Sequence, residues 1–137
     1  MADSTAARRL KPGATVAPHQ LVAISGESVP VPDPGQMVHL ELRRFAGCPI
    51  CNVHLQSIIR RHDEIVAAGI REVVVFHSSA QELRHHVVDL PFAVVADPDK
   101  VLYAEFGVRS SAPACADDHV SFRSQFWRVG RCGAQPR

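Results

Sequence analysis

The chain has 137 residues, of which 46% are hydrophobic and 21% are charged. This composition supplies enough apolar material for one domain of ordinary size and excludes a wholly disordered chain. Fifteen basic and 14 acidic residues leave a formal net charge of +1, which favours neither nucleic acid nor an anionic membrane as a partner. No apolar run approaches the roughly 18 residues of a membrane span, and the N-terminus lacks the apolar core of a secretory signal. We therefore expect a cytoplasmic protein with a loose N-terminus over 1–9 and a single domain over 10–137.

The N-terminal part of that domain carries many prolines, which exclude long helices and strands there. Residues 21–24 are apolar and are followed by a Ser-Gly-Glu turn, and residues 29–31 form a second short extended piece. These two pieces predict a small hairpin within an ordered N-terminal arm.

A regular strand and a helix are predicted next. Val38, Leu40 and Leu42 alternate with polar residues, as in a half-buried strand. Pro49 suits the first position of a helix, where its missing N–H would have no partner. Apolar residues then follow helical spacing as far as Gly69, which is suited to end the helix.

The alternation of strand and helix continues along the chain. The run 73–76 is continuously apolar, as in a strand covered on both faces. Ser79 and Glu82 form a capping box for a helix that ends before Pro91, and 92–96 is a further apolar strand. A short helix over 100–106 completes the pattern. This order predicts an α/β fold with a central, mostly parallel sheet flanked by helices.

Two cysteines, Cys48 and Cys51, lie where a strand turns into a helix. Unpaired N–H groups and the positive end of the helix dipole favour a thiolate at that place, so Cys48 is the predicted nucleophile. Cys51, one helical turn on, is the predicted resolving thiol that closes a disulfide. The alternatives are a zinc site in which His54 extends the pair to C-x2-C-x2-H, with Cys115 or Cys132 as fourth ligand, and a pair without chemistry.

Three segments together carry a family resemblance. They are the run from Val38 through Arg-Arg-Phe-Ala-Gly-Cys-Pro-Ile-Cys-Asn, the run Glu72-Val-Val-Val-Phe-His-Ser-Ser, and the run Leu90-Pro-Phe-Ala-Val-Val-Ala-Asp-Pro-Asp-Lys. Over about residues 10–110 the chain resembles the peroxiredoxin-like branch of the thioredoxin superfamily, the alkyl hydroperoxide reductase and thiol-specific antioxidant group. The resemblance implies a thioredoxin-like fold and reduction of a small peroxide or disulfide. Cys48 would attack, Cys51 would resolve, and a cellular dithiol would supply the electrons.

Two positions depart from the peroxiredoxin pattern. Phe45 stands where the family has Thr or Ser, and Glu41 stands where it has Pro. Because the Thr hydroxyl helps to hold the peroxide in that family, the departure favours an alternative function. The alternative is a non-catalytic or redox-sensing module that keeps the fold and has lost turnover.

The last 27 residues, after Ser110, show no clear alternation and no capped helix. Thioredoxin folds finish with two antiparallel strands and a helix, so we expect a shortened or altered C-terminus. Such an end would expose a sheet edge and favour a homodimer.

Further residues are candidates for the site. Pro113 is a candidate for the proline that faces the dithiol and contacts substrate, and Pro49 stiffens the turn between the cysteines. Arg109 is a candidate substrate-binding or thiolate-stabilising residue and Arg123 is an alternative, although a surface role is favoured for both. Arg44 is near Cys48 in sequence and could equally face the thiol or solvent. His77 follows a buried strand, where a structural role is favoured over a chemical one. The sequence implies no metal, flavin or nucleotide cofactor. It has no Gly-rich loop of the kind that binds nucleotide phosphates.

Overall fold

A computed structural model describes residues 10–87 and 89–108 of the chain. Within this part, nine elements follow one another in the predicted order of strands and helices. They are β1 (His19–Val22), β2 (Ser28–Val31), β3 (Met37–Arg43), α1 (Pro49–Arg60), α2 (His62–Ala67), β4 (Ile70–Phe76), α3 (Ala80–His86), β5 (Ala93–Ala96) and α4 (Val101–Glu105).

The strands β3, β4 and β5 form a parallel sheet in that order. Met37 pairs with Ile70 at the start of β3 and β4, and Arg43 pairs with Phe76 at their carboxyl ends. A parallel sheet whose strands are joined through helices is the α/β architecture that the alternating pattern predicts. The predicted fold class is confirmed.

The centre of the sheet is buried on both faces. Val73, Val74, Val75 and Phe76 are all fully buried, which explains why β4 is a continuous apolar run rather than an alternating one. One face packs against the N-terminal hairpin and α4, and the other packs against α1 and α3. The cysteine-bearing helix therefore lies on a defined face, at the carboxyl end of the strands.

The predicted N-terminal hairpin is present, and it is joined to the sheet. The strands β1 and β2 pair antiparallel, with His19 opposite Val31. The Ile24 N–H donates to the Val94 carbonyl over 2.8 Å, which fastens the end of the hairpin to β5. Arg71 of β4 pairs with Asp33 at 3.2 Å. These contacts make the arm part of the packed structure.

The prediction of a single helix from Pro49 to Gly69 is wrong in one respect. The helix is divided into α1 and α2 at Arg61. The backbone of Arg61 has φ −106° and ψ 11°, and its N–H donates to the Ile58 carbonyl three residues back. This tighter turn interrupts the helix, and apolar spacing alone does not reveal it. Gly69 ends α2 with φ +73°, as expected of a glycine after a helix.

Both later helices begin at side-chain caps. Ser79 and Glu82 form the predicted capping box, in which each side chain bonds to the backbone N–H of the other residue. Buried Asp97 accepts from the N–H groups of Val101 and Leu102 at 3.0 and 2.9 Å and so starts α4. None of the helices described is long and apolar enough to cross a membrane.

Candidate active site

The two cysteines lie at the start of α1, as predicted. Cys48 is the residue just before the helix, with φ −68° and ψ 114°, and Pro49 occupies the first helical position. The Cys48 carbonyl accepts from Asn52 at 3.0 Å, and the Cys48 N–H donates to the Phe45 carbonyl at 3.1 Å. The Cys48 side chain therefore leaves the chain beside the unpaired N–H groups of the first helical turn.

The turn that carries Cys48 is fastened to the neighbouring strand end. The Ala46 N–H donates to the buried Ser78 hydroxyl at 3.0 Å, and the His77 N–H donates to the Arg44 carbonyl at 3.3 Å. Both contacts join the loop after β3 to the loop after β4. The dithiol is thus placed by the carboxyl ends of two paired parallel strands, where α/β proteins commonly form their sites.

Both thiols are free and buried, with Cys48 3% exposed and Cys51 8% exposed. The Cys48 side chain lies close enough to Cys51 to influence its pKa, so the two thiols are neighbours. Burial raises the pKa of the Cys51 thiol, and the nearby Cys48 sulfur acts in the same direction. A hydrogen bond from the Arg44 backbone and the charge of Arg43 act in the opposite direction.

Arg43 is the cation of this site, and sequence reasoning missed it. Burial lowers the pKa of Arg43, and negative charge on Cys51, Glu72 or Cys48 acts in the opposite direction. Its guanidinium also contacts Glu41 and His54. Strand alternation could have placed Arg43 on the face of the sheet that carries α1. The apolar even-numbered residues of β3 face the hairpin, so the odd-numbered ones face α1.

Tyr103 is a second residue of the site that the sequence did not indicate. Its hydroxyl lies within hydrogen-bond distance of the carbonyls of Arg43 and Val75, the latter at 3.0 Å, so its one proton is shared between the ends of β3 and β4. Burial raises the pKa of Tyr103, and the nearby charges of Asp97 and Cys51 raise it further. The phenol therefore stays protonated as a hydrogen-bond donor beneath the dithiol.

His77 lies beside the site without a polar contact of its side chain among the described residues. Its ring packs against Phe45 at a centroid distance of 6.4 Å and edge-on against Tyr103 at 5.7 Å. The favoured structural role of His77 is consistent with this aromatic packing.

A group of three ligand-bearing side chains lies on the same face of the sheet as Arg43. His39 Nδ1 is 2.9 Å from Glu72 Oε2 and 3.7 Å from Glu41 Oε1. Glu41 and Glu72 are buried, whereas His39 is exposed. In the sequence Glu41 stands out only as a departure from the peroxiredoxin pattern, and no local pattern connects it with His39 or Glu72.

The other predicted site residues divide into two sets. Pro49 is exposed next to Cys48, in a position to contact a substrate, and Arg44 is exposed to solvent. Exposed Ile50 lies between the two cysteines. The remaining candidates lie outside the described residues: Arg109, Pro113, Cys115, Arg123 and Cys132, together with the predicted altered C-terminus.

The alternative zinc site has no third ligand in the described part of the chain. His54 Nδ1 contacts Arg43 and lies 3.9 Å from Glu41 Oε2. Within residues 10–87 and 89–108, the one cluster of three ligand atoms close enough for a metal ion contains neither Cys48 nor Cys51. His54 thus belongs to the polar group around Arg43.

No protein-family model matches the sequence, and no curated protein does either. Solved structures do match. StoA from Bacillus subtilis aligns with a TM-score of 0.56 and 22% identity over 67% of this chain and 72% of its own. A proposed thiol:disulfide interchange protein DsbE from Chlorobium tepidum aligns with a TM-score of 0.63 and 21% identity over 73% of this chain and 72% of its own.

A third match is a proposed thioredoxin from Neisseria meningitidis. It aligns with a TM-score of 0.59 and 24% identity, over 69% of this chain and 66% of its own. At such identities the likeness concerns the backbone arrangement, and it agrees with the parallel sheet and flanking helices described above. The chain has a thioredoxin-like fold.

Proposed function

We propose that the protein is a thiol–disulfide oxidoreductase in which Cys48 is the nucleophile and Cys51 the resolving thiol. The observation that carries the proposal is the pair of free, buried and neighbouring thiols at the start of α1. The solved structures of similar fold include a proposed thiol:disulfide interchange protein and a proposed thioredoxin, which supports the same class of chemistry.

The proposed reaction on a disulfide has two exchange steps. The Cys48 thiolate attacks one substrate sulfur, so that a mixed disulfide forms and the other substrate sulfur leaves as a thiolate. The Cys51 thiolate then attacks the Cys48 sulfur, and the second substrate thiolate leaves. The substrate gains two electrons, the leaving thiolates take up the two cysteine protons, and an external cellular dithiol later reduces the Cys48–Cys51 disulfide.

A peroxide would react through the same two sulfur atoms. The Cys48 thiolate attacks a peroxide oxygen, the O–O bond breaks, and the leaving alkoxide takes up a proton to form an alcohol. Cys48 is left as a sulfenic acid. Cys51 attacks its sulfur, the disulfide forms and water leaves. This is the peroxiredoxin-like form of the proposal, and the resemblance of the three sequence segments supports it.

The surroundings of the dithiol favour a small substrate. Because Cys48 is only 3% exposed, a large protein disulfide reaches its sulfur only if the turn between Phe45 and Pro49 moves. The charge of Arg43 favours the Cys51 thiolate, in opposition to burial, which raises the pKa of that thiol. We therefore propose a small peroxide or a small disulfide as substrate. A reducing compartment such as the cytoplasm is a separate proposal, which rests on the sequence alone.

The test compares Cys48→Ser and Cys51→Ser with the wild-type chain. Each protein is treated with one equivalent of peroxide or of a small disulfide, alkylated and analysed by mass spectrometry, and turnover is followed with a dithiol donor. We expect wild type to form a Cys48–Cys51 disulfide, Cys51→Ser to accumulate an adduct on Cys48, and Cys48→Ser to lose turnover. Full activity of Cys48→Ser would overturn the assignment.

The second candidate function is a redox-sensing module without turnover. The burial of Cys48 and the presence of Phe45 in place of Thr or Ser favour it. In the same assay a sensor forms the disulfide once when one equivalent of oxidant is added. With the dithiol donor present, it does not go on to reduce many equivalents of oxidant.

The predicted homodimer is a further proposal. Within residues 10–87 and 89–108 β3 pairs only with β4, and the proposal is that a second copy of the chain pairs with its other side. Sedimentation velocity over a range of protein concentrations tests it, and a single monomeric species at every concentration would contradict it.

A further inference from the structure

The second chemical group of this molecule lies on the α1 face of the sheet and plays no part in the proposed thiol chemistry. It consists of His39, Glu41 and Glu72, which we call the β3–β4 cluster. One atom from each side chain lies within 4.8 Å of the others. We propose that the β3–β4 cluster binds a divalent first-row transition metal ion, with Zn²⁺ as the reference ion.

The backbone holds these three side chains together. His39 and Glu72 are cross-strand partners in the β3–β4 ladder, and Glu41 lies two residues further along β3 on the same face. Ligands carried by neighbouring strands of one sheet are held in place before an ion arrives.

Buried charge is the first argument for a cation. The side chains of Glu41 and Glu72 are 8% and 3% exposed. Two carboxylates this close repel each other and are costly to bury unless positive charge accompanies them. Arg43 supplies one positive charge to the pair, through Glu41. One negative charge then remains for a bound cation to offset.

An unpartnered oxygen is the second, independent argument. The two oxygens of Glu41 have different surroundings: Oε2 contacts Arg43, whereas Oε1 is buried and has no hydrogen-bond partner among the described residues. Arg43 Nε in the same region is likewise buried without a partner. Native structures leave few buried oxygens unpaired, so an unpaired carboxylate oxygen facing a histidine nitrogen indicates a missing cation.

Distances between the donor atoms fit such an ion. Zinc binds histidine nitrogen and carboxylate oxygen at about 2.0–2.2 Å, so ligand atoms around a tetrahedral ion lie roughly 3.3–3.5 Å apart. The separations from His39 Nδ1 are 2.9 Å to Glu72 Oε2 and 3.7 Å to Glu41 Oε1. Shifts of a few tenths of an ångström convert these contacts into ligand spacings.

The cluster also has an entrance and an open coordination position. The His39 side chain is 55% exposed, so an ion can approach from solvent along the imidazole. Three protein ligands leave a fourth position for water, as in open rather than closed zinc sites. One nitrogen and two oxygens suit zinc, cobalt or manganese and do not select the softer ions that thiolates bind.

The test separates this site from metal binding by thiols. Zn²⁺ is titrated calorimetrically into the full chain with all four cysteines replaced by serine. We expect about one ion per chain, and we expect His39→Ala and Glu41→Gln each to weaken binding roughly tenfold or more, as disturbed metal sites do. His85→Ala and Glu64→Gln, which alter exposed residues of the same types, are the matched controls and should bind as the parent does.

A second measurement keeps the proposal testable if the cysteine-free chain does not fold. Co²⁺ is added to the wild-type chain, where ligation by nitrogen and oxygen gives weak visible bands without the strong near-ultraviolet absorption of thiolate ligation. His39→Ala should abolish those bands, and because His39 is exposed this variant should fold. Absence of binding in both proteins, or binding that His39→Ala and Glu41→Gln leave unchanged, would overturn the proposal.

Discussion

Arg43 holds the Glu41 carboxylate in a region that water reaches poorly, since their side chains are 13% and 8% exposed. Replacing Arg43 with Met keeps the length of the side-chain stem and removes the guanidinium. Glu41 then loses the cation that contacts it. Leaving one partner of a buried ion pair unpaired costs about 3–5 kcal/mol. We expect the lower end, about 3 kcal/mol, because the half-exposed His39 imidazole lies next to the carboxylate.

The double variant Arg43→Met, Glu41→Leu distinguishes an unpaired charge from lost packing. Because it contains no buried carboxylate at position 41, we expect it to be more stable than Arg43→Met by about 2 kcal/mol. Urea denaturation at neutral pH measures all three proteins. Arg61→Met is the matched control: its ion pair with Glu64 is exposed and should contribute less than about 1 kcal/mol.

The same substitution should also change the dithiol. The Arg43 charge favours the Cys51 thiolate, so its removal should raise the pKa of Cys51 further above the ordinary value for a thiol. Alkylation rates at Cys51, followed by peptide mass spectrometry across a pH series, test this in Arg43→Met and in Arg61→Met. The reasoning is refuted if Arg43→Met unfolds within about 0.5 kcal/mol of wild type and Cys51 titrates unchanged.

Three further substitutions test the packing around the site by denaturant unfolding. Tyr103→Phe removes a buried hydrogen-bond donor and should cost about 1–2 kcal/mol. Since burial raises the pKa of Tyr103, the protonated phenol contributes fully to the free energy of unfolding below pH ~10, and this contribution is lost as the pH rises further. Above that pH the free energy of unfolding of Tyr103→Phe should therefore fall less steeply than that of wild type. Equal slopes for the two proteins would contradict this. Ser79→Ala removes the capping box and should cost about 1 kcal/mol, whereas Ser57→Ala on the exposed face of α1 should cost nothing measurable. Leu83→Ala empties a fully buried position and should cost about 3 kcal/mol; a loss below 1 kcal/mol would mean that the site collapses around the cavity.

The order of elements was predictable because each has a local cause. Capping by Ser79, the left-handed glycine at 69 and the apolar run over β4 are all properties of neighbouring residues. The break at Arg61 was not predictable in this way. Residues on both sides of it keep helical spacing, and the tighter turn depends on how α1 and α2 pack on the sheet.

The dithiol was predictable, and most of its surroundings were not. Cys48 and Pro49 are adjacent, so the geometry of the helix start follows from local rules. Tyr103 reaches the Arg43 carbonyl from 60 residues away along the chain, and no periodic pattern connects them. His39, Glu41 and Arg43 alternate with apolar residues and so have the pattern of a solvent-facing strand surface. Contact with α1 turns that surface into a partly buried polar layer.

Arg43 is the physical connection between the two groups of this molecule. It contacts Glu41 on one side, and its charge acts on both thiols on the other. An ion in the β3–β4 cluster would compete with Arg43 for the Glu41 carboxylate and leave more of the guanidinium charge for the sulfur atoms. By linkage, an ion that favours the thiolate is itself bound more tightly when the thiolate is present. Arg43→Met removes the competing cation while all three proposed ligands remain, so it should tighten Zn²⁺ binding to the cysteine-free chain, and weaker binding would contradict this.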